Sequence, residues 1–193
     1  IRRSLEVASI IKMSEEDLGY LDDSKSVEQH AAEMLRLPHC KLVVVTLGAV
    51  GSLAFNARGS VRSPIYPATP GGDNVGAGDT LMAGILTWLK DHDALKPEAL
   101  SVLDDAALSQ MLWFGAVAAG INCSRVGANP PTRPEVDAVL GTAHYVDIAE
   151  SLRSMFEGNS GEIRCSAPGR LTHLRKDRMV STRGYAYLKN AEG

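Results

Sequence analysis

Gly71-Gly72-Asp73-Asn74-Val75-Gly76-Ala77-Gly78-Asp79-Thr80 is the stretch on which the reading of this chain turns. Glycines on both sides of Ala77 let the backbone turn sharply and leave its N–H groups unshielded. Leu81, Met82, Ile85, Leu86 and Leu89 then recur at helical spacing. The N–H groups of Gly76, Ala77 and Gly78 are therefore expected at a helix start, where unpaired donors and the positive end of the dipole favour an anion. Asp79 falls in the same turn. Two roles are open to it. It caps the helix, or it is a general base that takes a proton from a hydroxyl while the loop amides hold a transferred phosphoryl group.

Asp73 to Thr80 resembles the C-terminal signature of the ribokinase-like (PfkB) carbohydrate kinases, D-T-x-G-A-G-D-[ST]-F, with Asn74 and Leu81 departing at the usual Thr and Phe. The resemblance runs from about Val7 to Val136. On its C-terminal side, Asn122-Cys123-Ser124-Arg125-Val126-Gly127-Ala128-Asn129-Pro130-Pro131-Thr132-Arg133 is most similar to bacterial fructokinases. It implies ATP-dependent phosphorylation of a sugar hydroxyl, fructose first among the candidates, with Asp79 as base and Gly76, Ala77 and Gly78 as anion hole. It also implies Mg2+ bridging the ATP phosphates, and K+ held by the Asp73 carboxylate and the carbonyls of Val75, Asn122, Arg125 and Gly127. Asp73 is equally readable as a turn residue after two glycines.

The chain in order supports an α/β reading. Val7 to Lys12 is expected to be a buried strand. Ser14-Glu15-Glu16-Asp17 is a capping-box pattern. The resembling family carries Asn-x-x-Glu there, in its Mg-phosphate network, so Asp17 is a weak metal candidate beside its role as a cap partner. Ser26 to Gln29 opens a second helix, which must end before Pro38. Lys41 to Leu47 is a continuous apolar strand of the kind covered on both faces. Strands at Ser52–Asn56 and Val61–Tyr66 follow, joined by a hairpin at 57–60.

Thr46-x-Gly48-x-x-Gly51 between strands reads as a plain turn; the resemblance makes it a nucleotide-binding turn. Lys90 to Ser101 is a polar connection. Asp104 or Asp105 caps a helix to about Cys123, whose centre is small and apolar for close packing. The resemblance places Ala116 of that helix against the adenine. No G-x-x-x-x-G-K-[ST] occurs, which excludes a Walker-type site. No strand-linked G-x-G-x-x-G with a later acid occurs either, so a dinucleotide site is not expected.

Composition excludes other classes. The 193 residues suffice for one domain. A net charge of -3 gives no reason to expect nucleic acid. No apolar run approaches the roughly 18 residues of a membrane span. Cys40, Cys123 and Cys165 are odd in number and lack metal spacing, so a reducing cytoplasm is expected. The five histidines show no ligand spacing, and Arg125 and Arg133 are either phosphate contacts or surface residues.

The expected fold is a three-layer αβα ribokinase-like arrangement with a central, mostly parallel sheet. Residues 1–142 form the nucleotide-binding part, and 143–193 a divergent, poorly ordered tail. A helix at 143–156 is expected within that tail. From Arg164 to Lys189 it carries seven Lys/Arg against one acid, Asp177. The start at Ile1 suggests a fragment, or a gene product lacking an N-terminal half. In the resembling family that half supplies most of the sugar pocket and lid, and homodimerisation belongs to the full-length form. An inactive nucleotide-binding remnant is thus a second reading. A related kinase acting on ribose, 2-keto-3-deoxygluconate or a nucleoside is a third.

Overall fold

Val43, Val44 and Val45 are fully buried, as a run apolar on both faces requires. They lie in the central region of a computed structural model that describes residues 2–140. Its elements are α1 Arg2–Val7, β1 Ile10–Ser14, α2 Glu15–Leu21, α3 Val27–Leu35, β2 Leu42–Thr46, β3 Ser52–Asn56, β4 Gly59–Ser63, α4 Ala77–Asp91, α5 Pro97–Leu100, α6 Asp105–Cys123 and α7 Arg133–Leu140. A 3-10 turn, Gly48–Val50, joins β2 to β3.

The sheet has the order β1-β2-β3-β4. β1 and β2 are parallel, while β2–β3 and β3–β4 are antiparallel. The α/β class holds, and within the described residues the sheet is mixed. The connections explain the directions. α2 and α3 carry the chain back between β1 and β2, whereas five residues at 47–51 and two at Ala57-Arg58 are long enough only to reverse it.

Strand alternation assigns the faces. Ile11, Val43, Val45 and Phe55 share one core cluster with Leu18 of α2 and with Ala31 and Met34 of α3. Lys12, Ser14, Val44, Thr46, Ser52 and Ala54 occupy the opposite face by register. α6 packs on β3 and β4, and α4 packs on α6. That pairing is close because glycines meet: a β-carbon on Gly84 would lie 2.8 Å from Gly115 Cα.

Several boundaries differ from the sequence expectation. The expected strand at Val7 begins at Ile10, and residues 2–7 are helical. The strand expected at Val61–Tyr66, β4, starts inside the hairpin at Gly59 and ends at Ser63, since Asn56 pairs directly with Gly59. Pro97 starts the short helix α5 within the expected connection, its missing N–H costing nothing at a first helical position. α6 corrects the membrane expectation: by length and composition it could cross a membrane, with a mean hydropathy of 1.3. Much of its apolar surface is buried instead, including Leu108, Met111, Leu112 and Val117.

Both capping boxes form. Ser14 Oγ accepts from Asp17 N at 3.1 Å while Ser14 N donates to Asp17 Oδ2 at 2.9 Å. Ser26 and Gln29 repeat the pattern. Asp104, not Asp105, caps α6, accepting from Ala107 N at 2.8 Å.

The described residues up to Thr132 form one compact unit, and α7, from Arg133, belongs to a second. In the second, Arg133 Nε donates to Asp137 Oδ1 at 2.7 Å within α7. The expected boundary at 142, the helix at 143–156 and the basic tail lie outside the described residues.

Candidate active site

Gly76 is the N-cap of α4, at φ 75°, ψ 6°, a left-handed conformation that favours glycine. Asp79 is therefore the third residue of the helix and not its cap. A carboxylate there still interacts favourably with the helix dipole. Asp79 is exposed. Among the described residues it has no hydrogen bond or ion pair, so its carboxylate is not locked onto its own helix. The three expected amides divide. Ala77 N donates to Asn74 O at 3.1 Å, closing the turn. The N–H groups of Gly76 and Gly78 have no partner among the described residues.

Beside this helix start lies a cleft of about 950 Å3, a size suited to a small organic ligand. Ala77 and Gly78 of α4 line it, together with Thr46, Gly48 and Gly51 of the β2–β3 turn and Ala116 of α6. Residues drawn from three distant stretches thus meet in one cavity. Asp79 and Gly76 are not in its lining and stand at its edge by sequence adjacency.

The turn is shaped by its glycines. Gly48 has φ 57° and Gly51 φ 108°. A β-carbon on Gly51 would overlap the Ser63 carbonyl oxygen. Leu47 N donates to Gly51 O at 2.8 Å and closes the loop. On the α6 side, Ala116, Ala119 and Gly120 leave a shallow apolar wall. Gly120 has no alternative, because a β-carbon there would lie 2.6 Å from Tyr66 O. Ser52 is 1% exposed, and its hydroxyl has no hydrogen-bond partner among the described residues. It lines the same cleft, where a bound ligand is one way to satisfy a buried polar atom.

Asp73, Val75, Asn122, Arg125 and Gly127 converge at a second point, the junction of the 71–76 and 122–129 loops. Asp73 Oδ1 accepts from Val75 N at 2.9 Å and Oδ2 from Gly127 N at 2.8 Å. These bonds, Gly127's first, hold the Asp73 carboxyl below the usual carboxylate range. Asp73 N donates to Arg125 O at 3.1 Å, and Arg125 N to Asn122 O at 3.0 Å. The carboxylate has no cationic side chain beside it among the described residues. Of the carbonyls expected to join Asp73 at a cation, those of Val75, Asn122 and Arg125 each accept a hydrogen bond here, from Asn122 Nδ2, Arg125 N and Asp73 N.

The Asn122 side chain was not singled out from the sequence, where only its carbonyl carried a role. It is fully buried. Its Nδ2 donates to Val75 O at 2.8 Å and its Oδ1 accepts from Asn129 N at 3.0 Å. One amide therefore ties both loops to the end of α6. Gly72 is the matching close approach: a β-carbon there would overlap the Cys123 carbonyl oxygen.

Asp17 is engaged in its capping box, and the Ser14 backbone N–H and hydroxyl hold its carboxyl below the usual range. Glu15 and Glu16, rather than Asp17, border the cleft. No group of three His, Cys, Asp or Glu able to hold a metal ion occurs among the described residues. Arg125 reaches the carbonyls of Asn129 and Pro130 at 3.4 Å. Lys12, which the sequence gave no reason to notice, points at Gly78: its Nζ lies 2.8 Å from the position a β-carbon there would occupy.

The model of the pfkB family of carbohydrate kinases matches residues 1–136. The chain is 30% identical over 134 residues to probable fructokinase-3 of Arabidopsis thaliana, covering 68% of this chain and 36% of that protein. It is 37% identical over 108 residues to a fructokinase of Rhizobium leguminosarum bv. trifolii, covering 56% and 32%. Among solved structures, a ribokinase from Giardia lamblia matches with TM-score 0.58 at 30% identity, over 70% of this chain and 44% of that one. A fructokinase double mutant from Vibrio cholerae O395, in a fructose-, ADP- and potassium-bound form, matches with TM-score 0.57 at 25% identity, over 73% and 43%. The chain thus spans less than half the length of each of these relatives. With the family model covering most of its length and the cleft built from the turns that carry the resemblance, the chain belongs to the pfkB family of carbohydrate kinases.

Proposed function

We propose that this chain is the nucleotide-binding part of an ATP-dependent sugar kinase, with fructose the leading acceptor. The observation that carries the reading is the meeting of Thr46, Gly48, Gly51 and Ala116 with the start of α4 in one cleft. The apolar α6 wall suits a purine ring. The β2–β3 turn suits ribose and phosphates, and the free Gly76 and Gly78 amides suit the terminal phosphate. The fructokinase relatives and the fructose-, ADP- and potassium-bound neighbour support the choice of acceptor and nucleotide.

In the reaction, Asp79 takes the proton of the sugar hydroxyl as its oxygen bonds to the γ-phosphorus. The bond from that phosphorus to the β–γ bridging oxygen breaks, and ADP leaves. The Gly76 and Gly78 amides stabilise charge on the moving phosphoryl group. Mg2+ accompanying the nucleotide supplies further charge neutralisation on the phosphate oxygens. Asp73, with the carbonyls of Val75, Asn122, Arg125 and Gly127, would hold K+.

Calorimetric titration with ATP, paired with sugar-dependent ADP release, tests the proposal. Asp79→Asn should lower kcat by about two or more orders of magnitude, the typical contribution of a positioned base, while leaving ATP affinity nearly unchanged. Equal loss of both would make Asp79 a structural residue. ATP binding with no turnover on any sugar favours a second reading, a non-catalytic nucleotide-binding chain.

A further inference from the structure

Asn74 and Val75 are exposed, so hydrogen bonds rather than packed side chains hold the segment ahead of α4. Those bonds run to the end of α6 and the loop after it. Thr69 N donates to Ser124 Oγ at 2.8 Å, Asp73 N to Arg125 O at 3.1 Å, and Gly127 N to Asp73 Oδ2 at 2.8 Å. The last anchor before the helix is the Val75 carbonyl, which accepts from Asn122 Nδ2 at 2.8 Å. The Asn122 side chain is fully buried, and its Oδ1 accepts from Asn129 N at 3.0 Å. The amide is therefore fixed at both of its ends.

Val75 immediately precedes Gly76, whose left-handed backbone opens α4. Ala119 and Gly120, just ahead of Asn122 on α6, line the cleft. Asn122 thus joins the wall that suits a purine to the amides that suit the terminal phosphate. Amides stabilise a developing charge only when their positions are set beforehand, and a turn rich in glycine has the most backbone freedom to lose. We infer that Asn122 is a positioning residue: its amide, acting through the Val75 carbonyl, sets the Gly76 and Gly78 N–H groups at the spacing from the α6 wall that a nucleoside triphosphate spans. It lies outside the lining of the cleft and touches no ligand itself. This inference rests on the nucleotide reading above and deepens it.

The test is a set of calorimetric titrations of the 193-residue chain with Mg·ATP and with AMP. AMP fills the base and ribose positions without reaching the α4 amides. Asn122→Ala should weaken ATP about tenfold, the loss of one charged hydrogen bond, and leave AMP within about twofold of wild type. Asn56→Ala is the control for lost stability. Asn56 is also buried, and its Nδ2 donates to Leu100 O at 3.2 Å and to Leu103 O at 2.9 Å, outside the cleft lining. Its replacement should lower the unfolding midpoint as Asn122→Ala does, yet leave both affinities unchanged. Gly72→Ala, whose methyl would overlap the Cys123 carbonyl oxygen and push the same segment off α6, should also lower the ATP-to-AMP preference. Should Asn122→Ala lose its native circular dichroism, Gly72→Ala carries the test. An unchanged ATP-to-AMP preference in these two variants, or an equal loss of it in Asn56→Ala, overturns the assignment of Asn122 alone. A wild-type chain that binds neither nucleotide overturns the nucleotide reading, and this assignment with it.

Discussion

Replacing Asn122 with alanine tests whether one buried amide holds the loop junction together. Asn122 is fully buried, and its two bonds, 2.8 Å to Val75 O and 3.0 Å from Asn129 N, cross from α6 to both loops. Alanine removes both and strands a carbonyl and an N–H. A typical hydrogen bond contributes about 1 kcal/mol net, and a stranded buried partner costs about 1–3 kcal/mol. Both partners here are only partly buried, so the lower end applies to each, giving about 2–4 kcal/mol in all. With a urea slope of roughly 2 kcal/mol per molar for a small domain, the unfolding midpoint should fall by about 1–2 M. The assay is equilibrium urea unfolding followed by tryptophan fluorescence.

Asn122→Asp refines the test. It keeps an acceptor for Asn129 N but turns an oxygen on the Val75 carbonyl, so the introduced carboxyl is favoured when protonated. Its native pKa should rise, and the loss relative to wild type should shrink as pH falls toward the usual carboxylate value of about 3.9. A midpoint for Asn122→Ala within about 0.2 M of wild type would refute the reasoning, because a change that small leaves no room for two buried bonds.

Three further outcomes follow from the structure. Gly72→Ala should destabilise by about 1–3 kcal/mol or more, as overpacking does, because its methyl would overlap the Cys123 carbonyl and lie 2.5 Å from Arg125 N. The same change at Gly19, inside α2 with no atom within 4 Å, should stabilise by about 0.5–1 kcal/mol through helix propensity; urea unfolding of the pair checks both signs. The Asp73 carboxyl is held low by the Gly127 and Val75 amides. Its contribution is therefore present above the unfolded pKa of about 3.9 and lost as pH falls through the lower native value. Thermal melts of wild type and Asp73→Asn should differ above pH 5 and converge toward pH 2.

Much of the local structure was legible because it depends on neighbours in sequence. Ser14 with Asp17 and Ser26 with Gln29 close the capping boxes their spacing announces. The apolar run around Val43–Val45 is the buried strand. The glycine turn before Leu81 does start a helix. Thr46, Gly48, Gly51 and Ala116 reach one cleft, an outcome that the family resemblance implied and that their spacing alone did not. The misplaced start of β1 has a local cause too. Val7 and Ile10 are both apolar, and a run of such residues does not show where helix gives way to strand.

What sequence alone determined here is the face each residue presents within its own element, since periods of 2 and 3.6 are set by backbone geometry. It also determined where α2 and α3 start, because a capping box reaches only three residues. The tertiary structure decided which faces meet. It set the Lys12 ammonium against Gly78, the Asn122 amide between two loops, Gly84 on Gly115, and Gly72 on the Cys123 carbonyl. Apart from the Asn122–Asn129 bond, these are contacts between residues 31 to 66 positions apart, fixed by how helices pack on a twisted sheet, and nothing in the local pattern of either partner encodes the distance between them.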